Sequence, residues 1–137
     1  MPEIFVLDAF ALLALFQDEP GAGRVQALIK DAQDEESSAL YMTTVNLGEV
    51  VYALESRRGF DATIKGLAAI DASPVEIVNT DRYLALHAAR LKASTRAGYM
   101  DCFVAALAQR LGGRVLTGDR DLEAFADVAI EWLPTSS

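Results

Sequence analysis

A chain of 137 residues, 52% of them hydrophobic and with a positive mean hydropathy, is long enough to bury one core and too apolar to be disordered. Its 12 basic and 20 acidic residues leave a net charge of −8, which excludes a passive nucleic-acid coat: only a metal ion or a local basic patch brings a phosphate to such a surface. Cys102 is the lone cysteine, so no internal disulfide forms and a reducing compartment is the simplest home. A nucleophilic thiol is not expected, since the only histidine, His87, lies inside the helix-like NTDRYLALHAARL. The expectation is a single domain over 1–137 in the cytoplasm. The apolar stretch Ile4 to Phe16 is too short to span a bilayer, is interrupted by Asp8, and follows Met-Pro-Glu rather than a basic leader.

In chain order, Ile4 to Leu7 is an unbroken run of β-formers, as in a strand buried on both faces, and Ala9 to Gln17 has helical composition. Gly21 and Gly23 break the chain before a helix over Arg24 to Asp34, which a polar DEESS turn closes. Leu40 to Thr43 is a second strand. Asn46 to Ser56 is a helix ending at Arg57, Arg58 and Gly59, and Asp61 is expected to cap the next. Val75 to Val78 is a third strand, followed by a helix from Thr80 or Asp81 to about Ser94. Another helix spans Tyr99 to Leu111 and stops at Gly112-Gly113. Arg114 to Thr117 and Val128 to Trp132 supply the last strands.

Strands alternating with helices predict a three-layer α/β/α sandwich around a central, mainly parallel sheet of four to five strands, because parallel neighbours need crossover connections. Ligands of such sheets bind beyond the carboxyl ends of the strands. Three acids leave or follow strands, namely Asp8, Glu49 and Asp119, and Asp101 opens a helix whose CFVAALA stretch is apolar all round. Each has a structural explanation: Asp8, Asp101 and Asp119 suit helix caps, and Asn46 with Glu49 suits a capping box. Capping leaves unexplained why acids stand among apolar neighbours. Carboxylates converging on a partly dehydrated edge repel one another, and no Lys or Arg adjoins Asp8, Glu49 or Asp101 in sequence. A hard divalent cation, Mg²⁺ or Mn²⁺, resolves that repulsion, whereas zinc lacks its His/Cys set. The chemistry such a site favours is phosphodiester hydrolysis.

The segments LDAFALLALF, NLGEVVYAL, YMDCFVAALAQRLGG and VLTGDRDLEAF, in that order, resemble the successive motifs of the PIN domain in its VapC-like toxin ribonuclease group. The resemblance spans nearly the whole chain. It implies a metal-dependent endoribonuclease in which Asp8, Glu49, Asp101 and Asp119 form the acidic quartet that holds Mg²⁺ or Mn²⁺, with Asp121 as a further acid. It also implies a homodimer silenced by a small antitoxin. The family commonly places Ser or Thr one or two residues after the first Asp, where this chain has Ala9, Phe10 and Ala11.

Two other readings stand beside it. A non-catalytic PIN-like module that binds a partner protein would suit the missing hydroxyl. A phosphatase or receiver-like phosphoryl-transfer enzyme fits less well, since Phe10 stands where the phosphatases carry a second Asp and no late Lys follows Thr117. Of the cations available to an RNA, Arg57, Arg58, Arg90, Lys92, Arg96, Arg114 and Arg120, the pair Arg57 and Arg58 suits a helix C-terminus, while Arg96 and Arg120 lie nearest the acids in sequence. Phe60 and Trp132 are assigned to ordinary packing.

Overall fold

A computed structural model describes residues 1–34 and 37–135. Five strands, β1 (Glu3–Leu7), β2 (Ser38–Thr43), β3 (Glu76–Val78), β4 (Arg114–Thr117) and β5 (Ala129–Trp132), form one sheet in the order β3-β2-β1-β4-β5. All the pairings are parallel, so the mainly parallel sheet expected is parallel throughout. The crossovers run through α1 (Ala9–Phe16), α2 (Ala22–Asp34), α3 (Thr44–Arg58), α4 (Phe60–Asp71), α5 (Arg82–Ala93) and α6 (Tyr99–Leu111). The unbroken IFVL run is explained by its place: β1 is central, with Phe5 and Leu7 packed among α1–α4 and Val6 among α5 and α6. From β1 the chain builds outward through β2 and β3, then returns to the other side of β1 for β4 and β5. The order thus reverses between β1 and β4, the point where sheets of this kind place their ligands. No helix among the described residues is long and apolar enough to cross a membrane.

Local chemistry shifts several boundaries. Helix α2 begins at Ala22, so Gly23 is helical and Gly21 alone carries the break; a Cβ on Gly21 would lie 3.1 Å from Leu133. The DEESS turn includes Glu35 and Glu36, outside the described residues, and its last residue already opens β2. Helix α3 starts at Thr44 because Thr43 caps it, its hydroxyl accepting from the Asn46 amide at 3.1 Å. The expected capping box of Asn46 and Glu49 is therefore overturned, as both sit inside the helix. Asp61 does not cap α4 either: Gly59, at φ +86°, occupies that position, and Asp61 lies in the first turn. Asp81 caps α5 through the Leu84 amide at 2.8 Å, and Gly112, at φ +65°, ends α6 in the left-handed conformation. Cys102 is buried, which pushes its thiol up and matches a packing role.

Candidate active site

Side chains alternate across a strand, so one face of the sheet carries every second residue. Toward α6 these are Val6 and then Asp8 at the end of β1, Val115 and Thr117 on β4, and Ile130 and Trp132 on β5. Thr43 ends β2 on the same side, two residues beyond Tyr41. Six polar residues are buried among those described, and four of them, Asp8, Thr43, Asn46 and Thr117, gather at this carboxyl edge. Burying polar groups is costly unless each finds a partner, so the hydrogen bonds there define the site.

Asp8 caps α1, its Oδ1 accepting from the Ala11 amide at 3.1 Å. Its Oδ2 accepts from the Thr117 hydroxyl, whose oxygen accepts in turn from the Asp119 amide at 2.9 Å. The hydroxyl that reaches Asp8 thus comes from the neighbouring strand, not from Ala9, Phe10 or Ala11. Gly118 keeps the turn close, since a Cβ there would lie 2.3 Å from the Phe10 ring. Burial pushes the Asp8 carboxyl up to about 7, against the pull of Thr117 and Ala11 and with help from the charges of Asp101 and Asp119.

Asp101 is set differently. It does not cap α6, because Gly98 holds that position without a side chain; Asp101 lies in the first turn and turns back to the Gly98 amide. Burial first, then the charges of Asp119, Glu49 and Asp121, raise it to about 7. Asp119 opens a short 3-10 helix, Arg120–Ala124, and its Oδ1 accepts from the Asp121 amide at 2.9 Å. Asp101, Asp119 and Asp121 each offer one oxygen, all within 4.8 Å of one another. Glu49 is half-buried on α3 and is raised by burial and by Asp119, with Asn46 opposing. Asp8 and Glu49 lie outside the tight trio yet within its field.

Asn46 and Thr117 are site residues that the sequence did not reveal. Asn46 is fully buried, accepts from the Thr43 hydroxyl, and donates from Nδ2 to the Met100 carbonyl at 3.2 Å. It ties the helix of Glu49 to the first turn of α6, next to Asp101. Its only sequence signal was the capping-box pattern it makes with Glu49. Thr117 had none, being 109 residues from Asp8.

Among the described residues, no Lys or Arg forms an ion pair with Asp8, Glu49 or Asp101. Arg120, flanked by two of the acids, instead reaches Glu123 Oε1 at 3.0 Å and stacks on Trp132. An all-oxygen set without a compensating base suits a hard divalent cation, and the trio has the spacing to hold one.

A family model described as PIN domain matches residues 5–129. The VapC ribonuclease Mb0640 of Mycobacterium bovis and the ribonuclease VapC30 of Mycobacterium tuberculosis are each 32% identical over 132 residues, covering 94% of this chain and 99% of the relative. The chain belongs to the PIN-domain family. Solved PIN-like structures agree in fold: VapBC2 of Rickettsia felis bound to a promoter DNA fragment has a TM-score of 0.74 at 14% identity, covering 96% of this chain and 99% of that one. VapC20 of Mycobacterium tuberculosis, a sarcin-ricin loop cleaving toxin, has a TM-score of 0.71 at 21% identity, covering 93% and 99%. In this PIN domain the acidic edge falls at the β1/β4 reversal, inside the matched region.

Proposed function

We propose that this PIN domain is a metal-dependent endoribonuclease, the toxin of a toxin-antitoxin pair, with Asp8, Glu49, Asp101 and Asp119 as its active-site acids and Asp121 as a further ligand. The observation that carries the reading is the convergence of five carboxylates from four elements on one edge, none of them ion-paired to a Lys or Arg among the described residues. Curated relatives named as VapC ribonucleases support it. Asp101, Asp119 and Asp121 would hold Mg²⁺ or Mn²⁺, which when bound supplies Lewis acidity toward a phosphodiester and a more acidic water. Asp8, pinned by Thr117 and Ala11, holds its carboxyl at a fixed place on the edge. Glu49, half-buried and raised above the usual carboxylate range, is placed to accept a proton from an attacking water. A hydroxyl does reach Asp8, from Thr117, which favours the enzyme over a partner-binding module.

The partners follow from the same relatives: several solved neighbours are VapBC complexes, so a small antitoxin is the proposed inhibitor. Tyr52, Phe60, Tyr83 and Leu86 are exposed and offer apolar surface for it or for a homodimer; Phe60, 66% exposed, is not packed as expected. The decisive experiment incubates purified protein, free of antitoxin, with total cellular RNA and Mg²⁺ or Mn²⁺. Discrete metal-dependent ends support the reading; no cleavage, or equal cleavage by Asp101→Asn, ends it.

A further inference from the structure

The candidate site leaves an electrostatic problem: five acids and a net charge of −8 repel the polyanion to be cleaved. One bound divalent cation offsets part of that charge, and the remaining attraction must come from nearby cations. Most of the arginines near the sheet are engaged elsewhere: Arg24 with Glu131, Arg110 with Asp81, and Arg114 with Glu3. Arg57 and Arg58 lie at the far end of α3. Arg96, in the loop before α6, is exposed and has no ring or acid fixing it among the described residues.

Arg120 is fixed. Its guanidinium carbon lies 4.3 Å from the centre of the Trp132 ring, and its Nη1 donates to Glu123. Trp132 is the register partner of Thr117, the residue that holds Asp8, and it shares Thr117's face of the sheet. Adjacent strands lie about 4.8 Å apart, so the indole stands one strand over from the end of β4, which leads to Asp119, and two from Asp8 after β1. The ring and Glu123 engage the cation, and it forms no ion pair with Asp119 or Asp121. Its side chain is 69% exposed, and a guanidinium has five donors, of which Glu123 engages one. The rest form a planar fork that matches a phosphate.

We infer that Arg120, stacked on Trp132, is a substrate-binding residue that takes an RNA phosphate next to the one cleaved. The inference rests on the ribonuclease reading of the same edge. Its test measures binding by fluorescence anisotropy, using a labelled single-stranded RNA with Ca²⁺ as the oxygen-seeking ion and gel controls for intact RNA. Arg120→Ala should weaken binding roughly tenfold and lower the salt slope by about 0.7, as loss of one single-strand phosphate contact does. Arg57→Ala, which changes net charge equally, should weaken it less than about twofold. Arg120→Lys, which keeps the charge but loses the planar fork, should recover only part. The inference is overturned if Arg120→Ala and Arg57→Ala bind alike, or if the wild-type protein binds no single-stranded RNA. The ribonuclease reading fails separately, when RNA is bound but never cut with Mg²⁺ or Mn²⁺.

Discussion

The N-terminal ends of α1 and α6 each present an aspartate to the same edge, and they treat it in opposite ways. Asp8 stands before its helix, caps it, and has both oxygens engaged, by the Ala11 amide and the Thr117 hydroxyl. Asp101 stands inside its helix, behind a glycine cap, and turns to the Gly98 amide while the charges of Asp119, Glu49 and Asp121 bear on it. One carboxylate has both oxygens engaged; the other sits among like charges. Helix capping and cation binding are therefore not rival explanations of these acids. Capping accounts for Asp8 and Asp119, whose oxygens accept from Ala11 and Asp121, and leaves Asp101 unaccounted for.

The largest effect expected is from breaking the unheld side. Asp101→Asn removes a charge that the fold raises to about 7, so in chelator the variant should melt a few degrees higher than the wild type. It should also lose the gain in Tm that millimolar Mn²⁺ gives the wild type, and its cleavage should fall by more than about a hundredfold. Asp8→Asn should stabilise less, because the lost carboxylate already has its donors. Equal gains from the two variants would erase the distinction between the two aspartates.

Next comes the support of the held side. Thr117→Val keeps the shape of the side chain but leaves the Asp8 oxygen without its donor, a buried vacancy worth roughly 1–3 kcal/mol. Cleavage should drop roughly 10- to 100-fold, with Thr117→Ser restoring most of it. If serine rescues nothing, the hydroxyl is not what matters. A smaller loss is expected from Gly118→Ala, whose Cβ would lie 2.3 Å from the Phe10 ring. The ring or the turn must move, at a cost of about 1–3 kcal/mol, and the extra substitution Phe10→Leu should return part of the stability.

Both helical cores, the parallel sheet and the acidic edge were legible because each rests on a local pattern. The IFVL run marks a central strand, CFVAALA marks a buried helix, and Gly112 marks the end of that helix. What was not legible depends on contacts distant in sequence. No hydroxyl follows Asp8 in Ala9, Phe10 or Ala11, but the reversal of strand order puts β4 beside β1, and Thr117 donates to Asp8 from there. Asn46 reads as a cap only while the helix is thought to begin there. Once Thr43 takes the cap, the buried amide is free to join α3 to α6. The misassigned Asp61 has the same origin: Gly59, in the left-handed region, both ends α3 and opens α4, leaving the acid no cap to fill.

The smallest expected effect is also the one that joins the two aspartates, since both are raised to about 7 while an unfolded aspartate titrates near 3.9. Between those values the folded chain binds more protons than the unfolded one. Linkage then makes metal-free stability fall as pH rises from about 4 to about 7, and level off above. Melts in chelator should therefore show Tm declining by a few degrees across that window, against the common pattern of buried acids that are salt-bridged. A divalent cation binds only the ionised carboxylates, so with Mn²⁺ the trend should flatten or reverse, the metal-induced gain growing with pH. Asp101→Asn should remove the reversal while leaving the part of the decline that belongs to Asp8. A Tm that rises with pH in chelator would mean that these carboxyls are already ionised in the free protein, and the contrast between held and unheld acids would lose its electrostatic basis.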